Sequence, residues 1–167
     1  MTATEKSPNR SGITMFDPPD AAPSLYETGM MSMPTTDPPA PEQMVEWALS
    51  GGHDVKVLFR QAEANGMSLV WSRFEPGYPL PRHSHSADCL YYVVAGEARM
   101  GNRRIPAGGG FFVPKDAPYA YTAGPDGIDI LEFRNVSAFD MQITESVDRW
   151  DRIVDEVREH KAAWTGA

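Results

Sequence analysis

Residues 55 to 136 show no helical period. Short β-prone runs occur there instead, at 55–59, 67–74, 90–94, 111–113, 119–122 and 128–133, with Gly, Pro, Asn and Asp between them. Many short strands at this spacing, with no helices interleaved, predict an all-β antiparallel barrel or sandwich. The 167 residues leave room for one domain of ordinary size with a tail or two. At 41% apolar the chain has enough hydrophobic side chains for one core. No internal repeat is visible.

The flanks differ from this middle. Eight of the fifteen prolines lie in the first 41 residues. Proline fixes φ and lacks a backbone donor, so residues 1–40 predict an extended arm without regular helix or inner strand. That arm is either a disordered leader or a strap over the domain or a neighbouring subunit, with Met15, Phe16, Leu25, Tyr26, Met30, Met31 and Met33 as apolar handholds. Residues 41–50 read as a short helix, with Pro41 in its first turn, Met44, Val45 and Leu49 inward and Gly51-Gly52 ending it. The barrel domain is assigned to 41–136. In 137–167, Val147, Trp150, Val154, Val157 and Trp164 recur at helical steps among charged residues, which predicts an amphipathic helix capped by Thr144.

Composition narrows the function classes. The 23 acidic and 15 basic side chains give a net charge of −8, and no stretch concentrates Lys or Arg, so nucleic acid is not expected as a partner. No run approaches the roughly 18 apolar residues of a membrane span. The polar start of the chain lacks the apolar segment of a secretory signal, and a single cysteine, Cys89, fits a reducing compartment. A cytoplasmic location is the expectation.

His83-Ser84-His85 carries the chemistry. In a strand, residues two apart point to the same face, roughly 6–7 Å apart along the chain, and two imidazoles placed so can converge on one ion through metal–nitrogen bonds of roughly 2 Å. By the same alternation Cys89, Tyr91 and Val93 share one face while Leu90 and Tyr92 take the other. Cys89 is therefore available to whatever the histidines hold, and Asp88 ranks below it. His53 is set apart from the pair, and His160, among charges in the last helix, reads as solvated. Arg82 points away from the pair. The strand at 128–133 is apolar on both parities, so Glu132 reads as a buried carboxylate that must be paired or serve as an acid/base. Gly108-Gly109-Gly110 precedes a strand and is a turn, not a phosphate cradle.

The spacing around these residues resembles the cupin superfamily. Gly77, His83, His85 and Gly96 match its first motif in register, with Cys89 where Glu is usual. In the second motif Gly108 and Pro114 match, while Asp116 stands for Gly, Tyr119 for His and Ala123 for Asn. The resemblance covers roughly residues 55 to 133. It implies a jelly-roll barrel with a metal site near its mouth, usually built from three His and one Glu, of which this chain keeps His83 and His85. Cys89 and Tyr119 complete the candidate ligand set, since a thiolate and a phenolate can both bind a cation. Such a set points to a divalent iron or zinc.

Tyr119 and Glu132 are the candidate catalytic residues. Thiol dioxygenases among the cupins also place Cys at the Glu position, so the resemblance implies a metal-dependent, dioxygenase-type oxidoreductase. A zinc lyase, isomerase or hydrolase and a non-catalytic small-molecule binder are the alternatives. The expected ligand is a small, partly apolar or aromatic metabolite, with Trp71, Phe74, Tyr91, Phe111, Tyr121, Leu131 and Phe133 as candidate lining residues. The resemblance also implies sheet edges that pairing would cover, so a homodimer is the expected assembly, with the proline-rich arm and the Trp-bearing last helix as candidate contact elements.

Overall fold

The structure, a computed structural model, describes residues 12–33 and 41–164. Among these residues the strands are β1 (Met31–Ser32), β2 (His53–Arg60), β3 (Ser68–Phe74), β4 (Pro79–Ser84), β5 (Cys89–Met100), β6 (Arg103–Pro106), β7 (Gly110–Val113), β8 (Tyr119–Arg134), β9 (Phe139–Asp140) and β10 (Gln142–Ile143). The α-helices are α1 (Leu25–Thr28), α2 (Glu42–Ala48) and α3 (Val147–Lys161).

The fold is an antiparallel β-barrel with small helices, built on two long strands. β8 pairs β4 with its first residues (Leu80 opposite Tyr121, His83 opposite Tyr119) and β3 with its last (Val70 opposite Glu132, Ser68 opposite Arg134). β5 lies on the other side of β8 along both segments and also carries β6 and β7. The remaining order is β10-β4-β8-β3-β2, antiparallel throughout. The ladder between β5 and β8 shifts register beside Gly96, whose φ of +69° lies in the left-handed region. A Cβ there would collide with the Gly127 backbone carbonyl, so the close crossing of the two long strands requires glycine.

Alternation then fills the interior. Cys89, Tyr91 and Val93 of β5 and Ile128, Ile130, Glu132 and Arg134 of β8 are buried, while Leu90, Tyr92 and Val94 face out. On β8 the burial is one-sided: Leu131 and Phe133 are only half-buried. The sequence runs underestimate the strands at β4 and β6, which carry Pro79 and Pro81 or are largely polar; both prolines of β4 are buried, and they mask its β character in a propensity reading.

The helices cover the barrel, with corrections to the expected faces. α2 buries Trp47, while Val45 and Leu49 are exposed; Pro41 is its N-cap residue. The Trp47 indole donates to the Pro79 carbonyl (2.9 Å) and packs on Trp150. α3 buries Trp150, Ile153, Val154 and Val157 and leaves Val147 exposed. Ser146, not Thr144, occupies its N-cap, because the Thr144 backbone N–H is bonded to the Arg82 carbonyl. Trp164 lies past the helix, buried, with its indole donating to Pro76. His160 is half-buried against Gly77, not solvated.

Residues 12–33 lie over the barrel. Pro-free Ser24–Gly29 forms one helical turn, closed by a capping box between Ser24 and Glu27 and by Gly29 at φ +60°. A regular turn can therefore form inside a proline-rich arm wherever the prolines pause. Leu25 and Met30 are buried, Met15 and Tyr26 exposed, and β1 pairs in parallel with β9.

Candidate functional site

β4 delivers His83 at its penultimate position, and His85 follows one residue beyond the strand, both buried. Their ring centroids are 4.9 Å apart and both line one cavity inside the barrel. Each ring is oriented from behind. His83 Nδ1–H donates to the Pro81 carbonyl (2.7 Å) and His85 Nδ1–H to the Asp140 carbonyl (2.7 Å). A ring that donates from Nδ1 and is neutral carries its lone pair on Nε2. Burial, with His85 beside it, brings His83 down to about 4, and burial with the nearby Arg134 also lowers His85. Both are neutral bases at pH 7.

The Asp140 carbonyl belongs to β9, which β1 pairs, so the N-terminal arm braces the residue that orients His85. The loop after β7 does the same from the other side. Asp116 adopts φ +62° at the position where the cupin motif has Gly, and its N–H donates to the His85 carbonyl (2.8 Å). Asp tolerates this left-handed conformation better than most residues with a side chain, so the turn survives the substitution.

Tyr119 opens β8 opposite His83, with its ring centroid 4.3 Å from that imidazole. Its hydroxyl lies 3.2 Å from His85 Nε2 and donates to that lone pair. Tyr91 Oη makes a short hydrogen bond with Tyr119 Oη. Arg134 Nη2 donates to Tyr91 Oη (3.3 Å) and to Glu132 Oε2 (2.6 Å), and Ser72 Oγ donates to Glu132 Oε1 (2.5 Å). The result is one buried polar chain from Ser72 through Glu132, Arg134, Tyr91 and Tyr119 to His85. Burial raises the Tyr119 and Tyr91 hydroxyls, which stay protonated. Burial also pushes the Glu132 carboxyl up, but the Arg134 guanidinium and the Ser72 hydroxyl outweigh it and hold it below its ordinary value. Glu132 is thus an ionised partner with both oxygens occupied.

The cavity has a volume of about 80 Å³, room for roughly five waters or a small organic molecule. Apart from the polar chain, His83 and His53, its walls are largely apolar, including Trp47, Phe74, Tyr78, Tyr121, Phe139 and Met141. Leu25, Tyr26 and Met31 close it from the arm. Of the aromatic residues expected to line it, Phe74, Tyr91 and Tyr121 do so. Phe111 stacks on Tyr91 (4.6 Å), and Trp71, Leu131 and Phe133 take the other parity of their strands. His53 joins the wall between the hydroxyls of Tyr26 (3.2 Å) and Tyr78 (3.1 Å).

Two imidazole lone pairs facing one cavity, each ring fixed by a backbone carbonyl, fit a divalent cation; this is the usual support behind metal-bound histidine. Cys89 is placed differently. It packs in the core with Tyr91, Val93 and Val113, and burial pushes its thiol up to about 12. Among the described residues, no three His, Cys, Asp or Glu side chains gather closely enough to hold an ion. His83, His85 and the Tyr119 oxygen are the donors the fold brings together.

Arg134 is the central residue that the sequence reading missed. The signal was present, since Glu132-x-Arg134 puts both side chains on one face of a strand and a buried carboxylate calls for a partner. Ser72 gave no comparable signal.

The barrel and its paired histidines define a cupin. The ChrR cupin-like domain family matches residues 40–135, and the chain belongs to that family. The chain is also similar in structure to KdgF from Halomonas sp., at 26% identity and a TM-score of 0.44, over 50% of this chain and 79% of that one. An RmlC-like cupin from Shewanella frigidimarina is 24% identical with a TM-score of 0.45, over 52% and 78% of the two chains. The polyketide cyclase RemF from Streptomyces resistomycificus is 17% identical with a TM-score of 0.49, over 60% and 77%. Comparison with curated proteins gave no match. Among the described residues no helix is long and apolar enough to cross a membrane.

Proposed function

We propose that the cavity is a metal-dependent catalytic site for a small, largely apolar metabolite, with His83 and His85 as the nitrogen donors to a divalent iron or zinc. The supporting observation is that both Nδ1–H groups are committed to backbone carbonyls, which turns both Nε2 lone pairs to the cavity side, that of His85 engaged there by the Tyr119 hydroxyl. When bound, the cation supplies Lewis acidity and, if it is iron, a redox couple suited to a dioxygenase-type reaction. The protein's own part is positional and protic. The aromatic wall excludes water from the ligand, and the neutral Tyr119 hydroxyl is the proton donor closest to the histidines. Glu132 is a positioning residue that fixes Arg134.

The commitment of Cys89 to the core favours a second reading, a non-catalytic binder of small molecules. Elemental analysis of the purified protein and of the His83→Ala/His85→Ala variant decides between them. Stoichiometric iron that disappears in the variant, with oxygen consumption, supports the dioxygenase reading, and stoichiometric zinc the lyase, isomerase or hydrolase reading. Equal metal content in both proteins, or none in either, overturns the catalytic metal site and leaves the binder.

A homodimer is proposed as the assembly, through the outer face of the sheet. Register sets Leu90 of β5 between Phe112 and Phe133, and Tyr92 beside Leu131, all on the outward parity. Leu90, Tyr92 and Phe112 are 51%, 46% and 58% exposed. Half-exposed Tyr92 and Phe112 alone leave roughly 200 Å² of apolar surface, and Met67, Leu90 and Val94 enlarge it to a patch of interface scale. A patch gathered on one outer sheet face is suited to a two-fold contact with a second copy.

A further inference from the structure

Arg134 carries more hydrogen-bonding capacity than the protein uses. Its side chain is 1% exposed and lines the cavity. Nη2 serves both Glu132 and Tyr91, but Nε and Nη1 have no partner. Three N–H bonds of a buried cation therefore lack an acceptor. A buried donor left unmade costs on the order of 1–3 kcal/mol, more when charged, and such groups in native proteins mark a missing water, ion or ligand.

The guanidinium carbon sits over the Phe139 ring, 3.9 Å from its centroid, and the ring supplies no acceptor for the N–H edges of Nε and Nη1. Those edges want an acceptor-only group, and a carboxylate supplies two oxygens with lone pairs to spare. Glu132 engages Nη2 alone, so the ion pair leaves the Nε and Nη1 edges open to a second acceptor.

We infer that Arg134 is the anchor for a small monocarboxylate whose apolar body lies against Phe74, Tyr121 and Met141. The inference rests on the cavity being a ligand site, as proposed above, but not on the identity or presence of the metal. It names the substrate class: an organic acid with an aromatic or aliphatic body, not a neutral hydrocarbon, alcohol or sugar.

The test titrates chelator-treated and zinc-loaded protein with benzoate and with benzamide, its neutral analogue of equal size, by calorimetry. Benzoate is expected to bind at least about tenfold tighter than benzamide in both forms. Replacing the charged pair together, Glu132→Gln with Arg134→Met, is expected to bring the two probes within about twofold of each other. Should that variant not fold, nitrogen NMR of the wild type gives the readout, with benzoate and not benzamide shifting the Arg134 Nε–H resonance. Equal affinities in the wild type, absence of binding by either probe, an unmoved Arg134 resonance, or a preference that survives in the variant each overturns the anchor. A preference that needs zinc and survives the variant assigns the carboxylate to the metal, so the anchor fails while the metal reading stands. A preference that depends on Arg134 in protein that takes up no metal does the reverse.

Discussion

Glu132 and Arg134 stand two residues apart on β8 and close a 2.6 Å ion pair inside the barrel, with side-chain exposures of 11% and 1%. Burying two charges costs several kcal/mol per ion, and their attraction only roughly repays it. Net stability is therefore a weak reason for such a pair to exist. What it does supply is a cation held in a fixed orientation beside Tyr91, Tyr119 and the cavity.

Breaking such a pair costs more than removing it. Glu132→Ala leaves Arg134 charged, buried and unpaired, and is expected to destabilise the fold by about 3–5 kcal/mol. Glu132→Gln with Arg134→Met removes both charges and is expected to cost less than the single change. Urea denaturation of the three proteins checks this. A double variant at least as unstable as Glu132→Ala would show that the pair is a net stabiliser.

The neutral histidines give the fold a pH dependence of definite sign. His83 titrates at about 4 when folded and at about 6.5 when unfolded. Between those values the unfolded chain binds a proton that the folded chain does not. Stability is therefore flat above about pH 6.5 and falls as the pH drops toward 4, by on the order of a few kcal/mol. Burial and Arg134 lower His85 as well, which adds to the loss in the same direction. Denaturation midpoints of chelator-treated protein at pH 7 and pH 4.5 should differ more in the wild type than in His83→Gln. An equal drop in both would mean that His83 is not the group responsible.

How far the sequence disclosed this site depends on what each residue needs. His83 and His85 were legible because a two-residue step in a strand needs no partner to define it. The glycines at 77 and 96 were legible as spacing, and the structure adds their reason, left-handed backbone at close crossings. β4 was harder to read, because Pro79 and Pro81 hide a strand whose remaining residues carry the site. Cys89 shows the limit of parity arguments. Alternation correctly turned it inward, where it is buried, but of the inward residues of β5 it is Tyr91 and not Cys89 that lines the cavity. Asp140 was illegible in principle, since its contribution to His85 is a backbone carbonyl and any residue type could provide it.

The outer sheet face makes the dimer testable without touching the cavity. Leu90→Asp with Tyr92→Glu places carboxylates in the middle of the proposed contact, where a second copy would have to bury them unpaired. Light scattering is expected to show a dimer for the wild type and a monomer for the variant, with the fold intact because both side chains already face out. A wild-type monomer, or a variant that stays dimeric, removes this face as the interface.

Tyr119 and a cation compete for the same lone pair. His85 Nδ1 is already committed to Asp140, so Nε2 has one lone pair, and the Tyr119 hydroxyl 3.2 Å away uses it. Metal uptake at His85 has to displace that hydrogen bond, which is worth on the order of 1 kcal/mol. Tyr119→Phe removes the competitor without emptying the ring's place in the wall. Zinc affinity measured by competition with a chelating dye is then expected to rise by about fivefold. The opposite sign follows if the Tyr119 oxygen itself ligates the ion, because losing a donor from so small a set would weaken binding by more than tenfold on the order-of-magnitude scale of ligand-shell changes. Activity would separate from affinity in the first case only: with Tyr119 as proton donor, Tyr119→Phe holds its metal more tightly and turns over less.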